Sequence, residues 1–193
     1  YPQHASFLYQ AQADILKRMD NKKAALRLLD EAIKNLPDDP ELIYSEVLLL
    51  DAHQEKDKLD QLLTKLLEIE PNSPTYLNAY AYTLALQNRR LDEARRYVEQ
   101  ALEFAPEQAS ILDTLGYVSY LQNDYTASAQ ALEKAYALSH SAAIGSRYAK
   151  SLYMQGDIQK FSQVLQQLQQ NHPNDPQLQQ LNSLLLPQPV KKS

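Results

Sequence analysis

Residues 111–138 read ILDTLGYVSYLQNDYTASAQALEKAYAL, and this stretch decides the fold. In its first half Leu112, Leu115 and Val118 recur at three-residue steps, which predicts a helix with one apolar face. An Asn-Asp pair interrupts the pattern at residue 123, and a second apolar stripe follows it. Because neither amphipathic helix buries its stripe without the other, the stretch predicts a helix hairpin.

The same pattern returns along the chain every 33 to 35 residues. The residues that close successive hairpins mark this period: Pro37, Pro71, Pro106, His140 and Pro173. A fixed period of this length predicts stacked helical repeats, since each hairpin buries its apolar faces only against its neighbours. We assign one array of five repeats, then a capping helix and a disordered tail, at about residues 5–38, 39–73, 74–107, 108–141, 142–174, 175–186 and 187–193.

A short polar turn is expected before each second helix of a repeat. The turns are Asp20-Asn21, Lys56-Asp57, Asn88-Arg89-Arg90, Asn123-Asp124 and Gly156-Asp157. The chain has only 3 glycines, and each has a local task in this interpretation. Gly116 permits close helix approach, Gly145 lies at a helix start and Gly156 forms a turn.

Composition narrows the possible functions. The net charge of -5 lacks the clustered Lys and Arg that nucleic acid or an anionic membrane attracts, so no nucleic-acid partner is expected. No apolar run approaches the roughly 20 residues of a membrane span. The absence of Cys excludes disulfides and thiolate metal sites. The sequence begins at Tyr1 without Met or a targeting segment, so we expect either a mature chain or one cut from a longer protein.

No group of residues has a catalytic pattern, so we expect no enzyme activity, no cofactor and no metal. Three glycines do not build a phosphate-binding loop, and the paired carboxylates lie at helix N-termini, where the helix dipole favours negative charge. Solvated turn residues are the simplest interpretation of the four histidines, which fall in different repeats without helical spacing: His4, His53, His140 and His172.

The period, the Leu115-Gly116 pair, the small residues of the second helices and the closing prolines resemble the tetratricopeptide-repeat (TPR) family over about residues 5–173. The resemblance implies an all-α, right-handed α-solenoid of five helix-turn-helix units. It also implies that the first helices line a concave groove for a peptide or protein partner. Four residues, mostly small, stand where the family often has glycine: Ala13, Val47, Ala81 and Ala149.

The chain has 13 tyrosines and no Trp, and this excess of tyrosine is the feature of the composition that bears on partner binding. Rigid amphipathic rings provide contact area at low entropic cost, and polar groups beside them hold a peptide backbone. The resemblance places ten residues in the groove: Tyr44, Leu48, Asn78, Tyr82, Asp113, Tyr117, Tyr120, Arg147, Lys150 and Tyr153. Packing between repeats is the alternative for the tyrosines. Arg147 and Lys150 either hold an acidic group or chain terminus, or form a solvated basic edge.

Roughly half of the chain is also similar to the C-terminal repeats of TPR lipoproteins of proteobacterial envelopes. The stretches that carry this likeness are residues 78–84, NAYAYTL, and 111–120, ILDTLGYVSY. It implies a periplasmic protein, tethered at the outer membrane through a missing N-terminal region, whose partner is a carboxyl-terminal processing protease or its substrates. A cytoplasmic location is the alternative.

Two functions follow from these expectations. The first is a non-enzymatic scaffold that binds a protein partner in its groove and delivers substrate to a periplasmic protease. The second is a structural or assembly protein that self-associates or organises the machinery of envelope polymers.

Overall fold

The computed structural model describes residues 2–184 and, within them, every side chain except those of residues 2–4 and 177. All regular structure in this range is helical, as predicted. The predicted tail, 187–193, and the last two residues of the predicted capping helix lie outside the described residues. The helices are α1 Pro2–Arg18, α2 Lys22–Asn35, α3 Pro40–Val47, α4 Lys56–Ile69, α5 Pro74–Leu86, α6 Leu91–Phe104, α7 Ala109–Leu121, α8 Tyr125–Ser139, α9 Ala142–Gln155, α10 Ile158–Asn171 and α11 Pro176–Ser183.

The chain divides into two compact units, Tyr1–Arg89 and Arg90–Ser193, which we call the first and second unit. The order of helices follows the predicted repeats: odd-numbered helices from α1 to α9 are first helices, and even-numbered helices from α2 to α10 are second helices. The division falls between α5 and α6, the two helices of the predicted third repeat. The arrangement of all five repeats as one array therefore stays a prediction.

Three of the predicted turns share one local structure. Asp20, Asn123 and Gly156 have φ angles of 56°, 63° and 89°, in the left-handed region that Gly, Asn and Asp enter at the lowest cost. The next residue in each turn caps the following helix, because its side chain accepts a hydrogen bond from a backbone N–H three residues on. These capping residues are Asn21, Asp124 and Asp157.

The predicted turn at Lys56-Asp57 is wrong. α3 ends at Val47 and α4 already begins at Lys56, so the connection is residues 48–55. Asp51 explains the early end of α3: its carboxylate accepts hydrogen bonds from the backbone N–H groups two and three residues on, at 2.8 and 3.0 Å. Its own N–H donates to the Glu55 carboxylate at 2.8 Å. Such local bonds offer the backbone an alternative to the helix.

In the second unit, Gly116 of α7 packs directly against Leu132 of α8. A β-carbon on Gly116 would lie 2.9 Å from Cδ2 of Leu132 and closer still to its Cγ. The buried Ser128 hydroxyl donates to the Gly116 carbonyl at 2.7 Å, and its oxygen lies 2.8 Å from the Ser151 hydroxyl of α9. Small side chains therefore join three successive helices, as predicted for Gly116.

We expect Gly116→Ala to destabilise the second unit by about 1–2 kcal/mol. The clash with Leu132 costs about 1–3 kcal/mol, and the higher helix propensity of Ala offsets up to about 1 kcal/mol of it. Urea unfolding followed by circular dichroism measures the change. Ser110→Ala, at an exposed position of the same helix, is the control and should stay within about 0.5 kcal/mol. Unchanged stability of Gly116→Ala would mean that α7 and α8 separate without cost.

α11 packs on the end of the second unit. Leu178 and Leu181 are buried in the same apolar core as Phe161 and Leu168 of α10 and Leu152 of α9. These contacts are those expected of a capping helix, since they cover the apolar face that the last repeat presents.

The first unit holds a buried carboxylate between three helices. Glu46 of α3 is 1% exposed and forms an ion pair with Lys58 of α4, which also contacts Asp30 of α2 at 2.8 Å. Burial raises the pKa of Glu46, and Lys58 opposes that shift. The same lysine lowers the pKa of Asp30 against the effect of burial. Lys58 therefore offsets the negative charges of the two neighbouring carboxylates, Glu46 and Asp30.

Lys58→Met should destabilise the first unit by about 1–3 kcal/mol at pH 7, because it leaves Glu46 charged, buried and without its cation. A carboxyl group whose pKa is raised in the folded state costs stability above that pKa, and the cost vanishes once the group is protonated in both states. The deficit relative to the wild type should therefore shrink as the pH falls through the raised folded-state pKa of Glu46 towards 4.5, the ordinary pKa of a Glu carboxyl, and should be smallest below that value. Urea unfolding at several pH values tests this.

Lys65→Met is the matched control for that series. Lys65 contacts Asp38 at 3.1 Å, but the Asp38 side chain is 81% exposed, so water replaces the lysine at little cost. Its stability change should stay within about 0.5 kcal/mol at every pH. Equal deficits for the two variants would contradict the role assigned to Lys58.

Candidate partner-binding site

Four of the predicted groove residues of the second unit converge on one small pocket. Tyr117 and Tyr120 come from α7, and Arg147 and Lys150 come from α9. In each pair the residues are three positions apart, so both side chains lie on the same side of their helix. The pocket measures about 70 Å³. That space accepts the tip of a side chain or a small polar group, and it is well below the volume of a cofactor site.

Arg147 is held by Asp113, the residue one repeat earlier. Its Nε donates to Asp113 Oδ1 at 2.8 Å, and a second guanidinium nitrogen donates to the other carboxylate oxygen. Such a two-point contact orients the guanidinium and offsets its charge. Two predicted groove residues therefore bind each other, which leaves Arg147 less able to hold an acidic group of a partner.

Lys150 is the exposed cation of the pocket. Its Nζ lies 5.2 Å from the centre of the Tyr120 ring, a distance at which the ring face attracts a cation. Tyr120 in turn packs edge-on against Tyr125, with the ring centres 5.4 Å apart. The ring and the cation are therefore positioned before any partner arrives.

Tyr153 lies away from this pocket. Its ring packs edge-on against Phe161, with the centres 5.5 Å apart, and it contacts the apolar core of the second unit. Packing was the alternative considered for this tyrosine, and its contacts favour that alternative.

Two residues that the sequence did not single out for binding also line the pocket, Leu132 and Ser151. Leu132 belongs to the apolar stripe of α8 and is 1% exposed, so it also serves helix packing. Ser151 stands four residues after Arg147, so its helical position was the available signal.

Two of the four predicted residues of the first unit, Tyr44 and Leu48, lie on α3 and at its C-terminal end. The other two lie on α5. Tyr44 and Leu48 line a cleft of about 290 Å³ with the charged residues Asp14, Lys17 and Glu41. The sequence had not assigned these charges to a site. Leu48 caps the end of α3 and is 60% exposed.

Tyr44 is more enclosed than a groove residue was expected to be. Its ring packs against Tyr76, with the centres 5.3 Å apart. Burial raises the pKa of both phenols, that of Tyr76 to about 12. Both rings therefore stay neutral at physiological pH.

α5 carries the other two predicted residues of the first unit. Tyr82 is 39% exposed. Asn78 is half-buried, and its Oδ1 makes no hydrogen bond to any described residue. That oxygen is itself buried, so it is not open to a partner in this structure.

Among residues 2–184, which the structure describes, no helix is long and apolar enough to cross a membrane. Nor do three or more His, Asp or Glu side chains in this part of the chain gather as a metal ion would require.

Comparisons with known proteins identify the repeats. Two models of the tetratricopeptide repeat match residues 83–144 and 119–185. A TPR repeat-containing protein of Pseudomonas aeruginosa is 31% identical over 121 residues, which make up 63% of this chain and 20% of that protein. The chain thus spans about a fifth of the length of this relative. The repeat family predicted from the sequence is confirmed.

Solved structures agree on the fold. The pilF protein of Pseudomonas aeruginosa has a TM-score of 0.75 at 17% identity, over 94% of this chain and 98% of its own. YrrB, described as a TPR protein with an unusual peptide-binding site, has a TM-score of 0.68 at 11% identity, over 91% of this chain and 90% of its own. At such identities the likeness shows the fold alone, which is all-α and like that of TPR solenoids.

Proposed function

We propose, on the premise that residues 83–185 are tetratricopeptide repeats, that this protein is a non-enzymatic scaffold whose first helices bind a peptide or protein partner. TPR proteins are generally adaptors without catalysis, which supports the proposal. The observation that carries it is the pocket of Tyr117, Tyr120 and Lys150 on α7 and α9.

The chemistry of that pocket suits one kind of contact. Two half-buried tyrosines offer rigid amphipathic surface, and hot spots of protein interfaces are rich in such rings. Lys150 is exposed beside them, and Asp113 already engages Arg147. A partner segment therefore places an apolar or aromatic side chain on the tyrosines and an acidic group near Lys150.

We further propose a location and a partner class from the resemblance to envelope TPR lipoproteins. In this proposal the protein is periplasmic, tethered at the outer membrane by chain upstream of Tyr1, and brings substrates to a carboxyl-terminal processing protease. The similarity to a TPR repeat-containing protein of Pseudomonas aeruginosa supports a relationship to bacterial TPR proteins.

Tyr117→Ala and Tyr120→Ala should each weaken partner binding by about tenfold or more, because truncating an interface aromatic typically costs more than about 1 kcal/mol. Proteins captured from an envelope extract by the wild-type chain supply the partner, whose affinity is then measured by calorimetry with each variant. Phe104→Ala is the control, since that ring is 49% exposed at the end of α6 and outside the pocket. Circular dichroism confirms that the helices persist. Equal affinities would place the interface on another surface.

A structural role through self-association is the second candidate, and α1 favours it. Four apolar side chains of α1 and of the residue after it are 57–71% exposed: Phe7, Leu8, Ile15 and Met19. Surfaces of this kind mark protein contacts. Sedimentation velocity over a hundredfold range of concentration separates the candidates: self-association should raise the sedimentation coefficient with concentration, and Ile15→Lys should abolish that rise. A constant monomer value would exclude this role.

A further inference from the structure

A second cleft lies between the second helices α8 and α10 of the second unit. It measures about 600 Å³, and Tyr148 of α9 forms part of its wall. An adjoining hollow of about 250 Å³ shares three of its residues, Glu133, Tyr148 and Lys160. Neither space includes Tyr117, Tyr120, Arg147 or Lys150, so this surface is separate from the proposed partner pocket. We call the two spaces together the amide cleft, because side-chain amides dominate one wall.

That wall is a row of amides on α10. Gln163, Gln167 and Gln170 line the cleft and stand at i, i+4 and i+7, so they share one side of the helix. Gln163 and Gln167 are about 6 Å apart along the helix axis at about 1.5 Å per residue. Alternate residues of an extended peptide are about 6.7 Å apart. The row therefore matches an extended chain over a short distance.

An amide side chain both donates and accepts hydrogen bonds. A peptide main chain presents the same two functions in alternation, one N–H and one C=O for each residue. A row of amides binds both the N–H and the C=O groups of a peptide. An anion would use only the NH₂ group of each amide, and a cation would use only its carbonyl oxygen. The chemistry of the wall thus favours peptide main chain over a charged group.

The one described Lys or Arg that lines the cleft is paired with a carboxylate, and Asp157, the other carboxylate of the lining, caps α10 by accepting a hydrogen bond from the Lys160 backbone N–H at 3.0 Å. Lys160 Nζ contacts Glu133 at 2.8 Å, so the cation and the carboxylate neutralise each other. Lys160 Nζ also lies 5.8 Å from the centre of the Tyr148 ring. Tyr148 is 3% exposed, and its hydroxyl interacts with both Lys160 and Glu133. A ligand with net charge gains little here, and one with hydrogen-bonding groups gains most.

We propose that the amide cleft binds an uncharged, polar peptide segment in extended conformation, chiefly through its main chain. The cleft follows α8 from Thr126 to His140, which is about 21 Å at the rise of a helix. An extended segment of about six residues spans that length. Its side chains alternate between the cleft and solvent, so the cleft prefers small polar residues at every second position.

The experiment uses the whole chain and a random heptapeptide library displayed on phage. Selection against the wild type should enrich peptides without charged residues, whose binding is then measured by fluorescence anisotropy. Gln163→Ala combined with Gln167→Ala should weaken the binding by about tenfold, since each lost hydrogen bond costs a few-fold to about tenfold. Gln166→Ala is the matched control, because Gln166 is exposed on the same helix but does not line the cleft. It should bind as the wild type does.

Other outcomes overturn the proposal. Enrichment of charged peptides whose binding is lost in the double variant, equal binding of all selected peptides by the double variant, or enrichment of no peptide at all would each do so. Maltohexaose is tested in parallel, and binding of this oligosaccharide with loss in the double variant would assign the cleft to glycans instead. Tyr117→Ala should leave the selected peptides bound, so the failure of the pocket on α7 and α9 and the failure of the amide cleft are distinguishable.

Discussion

The close contact of α7, α8 and α9 at Gly116 is the constraint on which the second unit depends. A side chain at this position would collide with Leu132, and the buried hydroxyls of Ser128 and Ser151 link the three helices through the Gly116 carbonyl. Ser151 also lies 3.0 Å from the carbonyl oxygen of Arg147. The same polar contacts that join the helices therefore position the segment of α9 that carries the candidate site.

Packing and binding use neighbouring faces of the same short helices. On α7, Leu112 and Gly116 face the core, whereas Tyr117 and Tyr120 reach the pocket. A helix of 13 residues has room for both tasks because its sides are separated by the helical period. The division has exceptions, as Tyr153 shows by packing on Phe161. An aromatic residue at a predicted groove position packs against an apolar surface instead when one lies within reach.

Interactions between residues close together in the sequence explain most of the helices and turns that could be predicted. Asn123 followed by Asp124 encodes a left-handed residue and then a helix cap, and both preferences act within four residues. The turn at Lys56 was misplaced because Asp51 ends α3 early through bonds to nearby N–H groups. The residues that form these local hydrogen bonds are visible in the sequence. The sequence does not show, however, that the Glu55 carboxylate also accepts a hydrogen bond from the Asp51 N–H.

The helices, their order, the repeat period and the face on which Tyr117 and Tyr120 lie could be read from the sequence, because these depend on periodicity and on short-range hydrogen bonds. The contacts between side chains of different helices could not. The pairing of Asp113 with Arg147, 34 residues later, and the division into two compact units arise from distances between helices. Those distances follow from the volumes of side chains packed against one another, which no periodicity within a single helix contains.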